Sequence, residues 1–183
     1  MIEQISNKIT NLLLRIELLE ETSVPTFKYC FEVVFMLFLF LFLTFPVAYI
    51  LGFFLPSLLF VILFLLLRSI AGGFHAKNPE LCLLLSVGSF FLFLFVCNFY
   101  TSNYFTIIIY GIACLIILVK APIEAKNYPL ARHKKERHKK QCKILLVAFS
   151  LIYAYCHIYK MYSFASSIFM AVLSISIALL ITK

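Results

Sequence analysis

Long apolar runs separated by short polar breaks organise this chain. The runs are Phe31–Leu67, Leu81–Phe99, Phe105–Val119, Ile144–Ile158 and Phe164–Ile181. A bilayer-spanning helix needs about 20 mostly apolar residues, so the first run is long enough for two. Pro46 and Pro56 interrupt it and predict two helices joined by a tight turn near Thr44–Pro46 or somewhat later. The pattern therefore predicts an all-α integral membrane protein with about six transmembrane helices. Ahead of them, Ile2, Ile5, Ile9, Leu12, Ile16 and Leu19 recur at alternating steps of three and four. Glu3, Asn7, Lys8, Asn11, Arg15 and Glu17 occupy the other faces. This predicts an N-terminal amphipathic helix over residues 1–27, lying on the inner leaflet as an interfacial element. A short coiled coil with a partner is the alternative. The segment lacks the basic start and continuous apolar core of a signal peptide.

Composition supports the membrane reading. Of the 183 residues, 63% are hydrophobic, more than a soluble domain of this size can bury. One membrane-embedded domain over residues 1–183 is expected. The net charge is +8, and its placement sets an orientation. With a cytoplasmic N-terminus and alternating spans, Lys8, Arg15, Lys28, Arg68, Lys77, the cluster Lys120–Lys143 and Lys183 all fall inside, and Lys160 alone falls outside. That bias satisfies the positive-inside rule. It places both termini in the cytoplasm of a multi-pass cell-membrane protein and assigns the charge to lipid-facing loops, with no nucleic-acid partner. Tyr100, Tyr104, Tyr159 and Tyr162 flank the two outer turns, where an aromatic belt is expected.

The chemistry concentrates in residues 68–82, Arg68-Ser-Ile-Ala-Gly-Gly-Phe-His-Ala-Lys-Asn-Pro-Glu-Leu-Cys82. A thiol and an imidazole in one polar break can make an activated nucleophile at a membrane surface. Asn78-Pro79-Glu80 reads as a helix start, with Asn78 as N-cap and Pro79 at the first helical position. Cys82 then falls in the first turn, where free backbone N–H groups and the helix dipole favour a thiolate. On a straight helix, His75 and Cys82 would be about 10.5 Å apart along the axis. Contact requires residues 74–78 to loop back over the helix start, which Gly72, Gly73 and Pro79 permit. Arg68 can support a substrate carboxylate or oxyanion, or simply snorkel to phosphates. Glu80 can orient His75 or favour the helix N-terminus through its charge.

The remaining candidates are weaker. Cys30, Cys97, Cys114 and Cys156 read as packing residues in spans, and Cys142 as a cytoplasmic thiol. No C-x-x-C pair or zinc spacing occurs, and His133 and His138 are poorly spaced for a metal on one helical face. The chain has no aspartate, which excludes aspartyl membrane proteases. A second cytoplasmic loop, residues 120–143, carries Arg132, Lys134, Lys135, Arg137, Lys139, Lys140 and Lys143. It is expected to rest on anionic lipid and to offer a docking site for an acidic peptide.

The cluster Arg68-x-x-x-Gly72-Gly73-x-His75 followed by Cys82 resembles the signature of the accessory gene regulator protein B (AgrB) family, membrane cysteine endopeptidases of Gram-positive quorum sensing. The segment Ala121-Pro-Ile-Glu-Ala-Lys-Asn-Tyr-Pro-Leu with its basic continuation resembles the family's second cytoplasmic loop. The amphipathic N-terminus and multi-span plan agree, so the resemblance covers nearly the whole chain. Family members often carry an aspartate where this chain has Glu124. The resemblance implies cleavage of a short precursor peptide with an amphipathic leader and an acidic C-terminal tail. Cys82 would be the nucleophile and His75 the base, with Arg68, Gly73 and Glu80 in support. The product would remain as a thioester, which a nucleophile within the peptide attacks to close a thiolactone or lactone ring. This chemistry calls for no metal, ATP or cofactor. Membrane lipid and the peptide are the expected partners, and a homo-oligomer is compatible with the sequence. A different class, a non-catalytic transporter or assembly factor for a small peptide, would place charges inside the spans. Glu32 lies near the inner surface instead, at i, i+4 from Lys28, and no charged path is visible.

Overall fold

The computed structural model describes residues 6–7, 10, 24–71, 79–100, 103–122 and 132–181. Among these, every regular element is helical. The helices are α1 Val24–Ile50, α2 Phe54–Ala71, α3 Pro79–Phe99, α4 Tyr104–Lys120, α5 Arg132–Ile158 and α6 Tyr162–Ile181. Four segments, Cys30–Ile50, Phe54–Ala71, Lys135–Ile158 and Tyr162–Ile181, are long and apolar enough to cross a membrane. Leu83–Phe99 and Tyr104–Lys120 are shorter apolar helices, at the lower end of the spanning range. The chain is thus an all-α membrane protein. Large apolar side chains such as Phe38, Phe42, Ile108, Leu115, Val147 and Leu151 stay exposed, as lipid contact requires.

The expected break in the first apolar run lies at Leu51–Phe53, later than Thr44–Pro46. Gly52 supplies the reason, because it adopts the left-handed φ of 74° that ends a helix. Its N–H donates to the Tyr49 carbonyl at 3.1 Å, and that of Phe53 to Ala48 at 2.9 Å. Pro46 is accommodated inside α1. The same closure ends α5, where Lys160 takes the left-handed position with φ 57°. The N–H of Met161 donates to Cys156 at 2.8 Å and that of Lys160 to His157 at 3.2 Å.

The contacts divide the chain into two units. The first comprises Met1–Val47 and Ala76–Phe90. In it, Phe40 and Phe90 meet edge to face with centroids 5.8 Å apart, both buried. The Thr44 hydroxyl is buried and donates to the Phe40 carbonyl at 2.6 Å. Near the N-terminus, buried Ser6 donates to the Lys28 carbonyl at 3.5 Å, and buried Thr10 to Ser6 at 2.8 Å. Helix α1 begins inside the stretch 1–27 expected to be interfacial. Apart from Ser6, Asn7 and Thr10, the part of that stretch before Val24 lies outside the described residues.

The second unit comprises Ala48–His75 and Phe91–Lys183. Helix α6 packs against α2, α4 and α5. Its buried positions include Ala165, Ser166, Ser167, Ala171 and Ser176, small residues that let helices approach where lipid provides no hydrophobic drive. Ser167 donates to the Pro56 carbonyl at 2.8 Å, tying α6 to the start of α2. Phe60 and Phe93 stack with centroids 4.7 Å apart and are fully buried.

Candidate active site

Arg68 occupies the last turn of α2, half-buried, with its guanidinium carbon 5.7 Å from the Phe64 ring centroid. Ala71 ends the helix and is fully buried. Gly72, Gly73, His75 and Asn78 lie outside the described residues. Helix α3 begins at Pro79, as the sequence predicts, because proline's missing N–H is no loss there. Glu80 is exposed in the first turn, and the backbone of Cys82 completes that turn. The free backbone N–H groups at such a helix start have no intrahelical acceptor and favour negative charge.

The basic segment differs from its expected form as a loop. Residues Arg132–Lys143 are helical and continuous with the apolar part of α5. Pro129 is the last helix breaker, and nothing from Arg132 to Ile158 is Gly or Pro. Lys135, Arg137, Lys139, Lys140 and Lys143 are exposed, whereas Arg132 and Lys134 are described by their backbone alone. Glu124, in residues 123–131, lies outside the described residues. Cys142 is only 2% exposed, so the expected cytoplasmic thiol is a packing residue. It shares a face with half-buried His138 and Gln141 and with buried Leu146.

A second polar group was not legible in the sequence. Tyr100, placed in the aromatic belt by its position, is 8% exposed, and its hydroxyl finds buried partners. It hydrogen-bonds with the Tyr153 hydroxyl at 2.7 Å and lies 3.2 Å from His157 Nε2. Burial pushes the Tyr100 phenol above its usual pKa, although the Tyr153 bond opposes the shift. Tyr110 stacks on Tyr153 at 4.2 Å and bonds with Ser150 at 3.2 Å. The i, i+4 spacing of Tyr153 and His157 was the available signal. The α5 members of this network lie roughly 18 to 28 Å along the helix from His138, so it supports packing away from the basic face. Tyr104 and Tyr159 are exposed, as expected of belt residues.

The accessory gene regulator B (AgrB) family model matches residues 2–181. The chain belongs to the AgrB family. No curated protein and no solved structure gives a significant match. AgrB membership places the chain in the processing of a quorum-sensing precursor peptide, the family acting as a protease in autoinducer production. The match spans the interval containing Arg68, His75, Cys82 and the basic face of α5.

Proposed function

We propose that the chain is a cysteine endopeptidase that removes the C-terminal tail of its precursor peptide and cyclises the remainder through a thioester. The AgrB match over residues 2–181, containing the Gly72-Gly73-x-His75…Cys82 spacing, carries this reading. The Cys82 thiolate attacks the carbonyl carbon of the scissile bond. His75 accepts the thiol proton and gives it to the leaving amine as the C–N bond breaks. The leader and ring segment remain as an acyl thioester. An internal thiol of the peptide then attacks the same carbonyl, losing its proton to His75, and Cys82 leaves and is reprotonated. Exchange between two thiol carriers is nearly isoenergetic, so cyclisation needs no ATP provided the site restricts water. Arg68 supports the developing negative charge, with Gly73 and Glu80 shaping the segment. The test is to combine purified protein in liposomes with a synthetic precursor. Release of a free tail together with a cyclic product is expected, and an uncut precursor contradicts the proposal.

The active segment 68–82, the basic face and both termini are proposed to be cytoplasmic, in the membrane of a Gram-positive cell. Cys142 cannot report this, being buried. An otherwise cysteine-free chain carrying Lys140→Cys should resist membrane-impermeant thiol reagents on intact cells and react after permeabilisation. Tyr104→Cys, at a residue 89% exposed, should react from outside. Reversal of the two patterns would invert the orientation.

Substrate capture is proposed to use two weak contacts. The amphipathic leader shares the inner membrane surface with the N-terminal segment, which raises its effective concentration. The acidic tail is drawn to Arg132, Lys134, Lys135, Arg137, Lys139, Lys140 and Lys143. Replacing Arg137, Lys139 and Lys143 together by Glu should raise KM roughly tenfold at low salt, since exposed charge contacts are individually weak. The defect should shrink as salt rises, and kcat should hold. A salt-independent fall in kcat would remove the steering role.

A further inference from the structure

His138 interrupts the basic face of α5. Arg137 and Lys139 beside it are exposed, but His138 is half-buried and lies on an inward stripe with Gln141, Cys142 and Leu146. Its Nδ1 lies 3.4 Å from the carbonyl oxygen of Ile70, sixty-eight residues away in sequence. Ile70 belongs to the last turn of α2, whose four terminal carbonyls have no intrahelical donor. A carbonyl only accepts, so the contact requires Nδ1 to carry the proton.

We infer that His138 is a positioning residue, pinning through Ile70 the turn of α2 that carries Arg68 and leads toward His75. The inference rests on the peptidase reading above. In chemical terms, one hydrogen bond fixes the end of α2 against the helix that presents the basic face. Arg68 and the tail-docking charges are thereby referenced to each other. Displacement of a catalytic constellation by about 1 Å can cost as much as 10²-fold in rate. A loosened α2 terminus therefore lowers turnover without changing the exposed charges that capture substrate.

The test compares the wild type with His138→Ala and His138→Asn in the full chain, reconstituted in liposomes with a synthetic precursor. The asparagine amide retains an N–H close to the position of Nδ1. His138→Ala should lower kcat about tenfold with little change in KM, and His138→Asn should restore most of it. Independently of turnover, ¹⁵N spectra of histidine-labelled protein in micelles should give His138 a protonated Nδ1, the signal being assigned by its loss in His138→Asn. An unprotonated Nδ1, an unchanged kcat in His138→Ala, or an Asn variant as impaired as Ala overturns the positioning role while leaving the peptidase reading intact. A wild type that leaves the precursor uncut, or cuts it equally well as Cys82→Ala, overturns both.

Discussion

Cys82→Ala abolishes precursor cleavage, with a loss of about 10⁴-fold or more, while the protein still inserts and accumulates in the membrane. Removing the nucleophile of a covalent mechanism leaves only binding and electrostatic contributions. Loss of stability is not expected to mask the result, because alanine is a good helix former in the first turn of α3. Cys82→Ser should retain little activity, since a hydroxyl is not ionised near pH 7. Cys142→Ala is the contrasting variant. Its sulfur is buried in the α5 packing face, so it should cut the precursor with the rate constant of the wild type even where stability falls. Tail release is read by mass spectrometry for all three. Normal cleavage by Cys82→Ala, with cleavage lost in Cys142→Ala, would move the nucleophile.

His75→Ala is expected to slow tail release by about 10² to 10⁴-fold, the usual contribution of a general acid–base group. A second readout separates this role from folding. An imidazolium beside a thiolate stabilises the charged sulfur, so the wild type should alkylate at Cys82 at neutral pH. Without His75 the thiolate forms only at higher pH. The alkylation profile of His75→Ala should therefore move upward in pH, and the rate near pH 7 should fall. An unmoved profile with full cleavage would leave His75 without a catalytic role.

Most of the helical plan was legible because its signal is long and redundant. Apolar runs near 20 residues, closed by Gly52 or opened by Pro79, leave few alternatives in a membrane. The first turn falls at the later end of the expected range, because a proline inside a span can be accommodated, whereas the left-handed Gly52 ends α1. The basic segment has the charge density of a loop but the continuity of a helix. Twelve residues without Gly or Pro extend α5 instead, and only burial separates the inward His138 and Cys142 from the outward lysines. Tyr100 was misread for a similar reason, since position at a helix end cannot distinguish a belt residue from one whose hydroxyl meets Tyr153. The candidate site residues rest on motif spacing. Periodicity alone would have treated Cys82 as a packing residue and His75 as a solvated one. The link between α5 and the end of α2 joins residues far apart in sequence and left no local trace.

An acyl group carried on Cys82 is tested most directly by the intact mass of the protein after brief exposure to a precursor whose internal nucleophile has been replaced by alanine. Cyclisation is then blocked and the acyl-enzyme should accumulate. The predicted result is a mass increase equal to the mass of the precursor minus that of the released tail, located by fragmentation to Cys82, removed by hydroxylamine and absent in Cys82→Ala. Free tail released with no adduct on the protein at any time, and cleavage surviving in Cys82→Ala, would contradict the thioester mechanism.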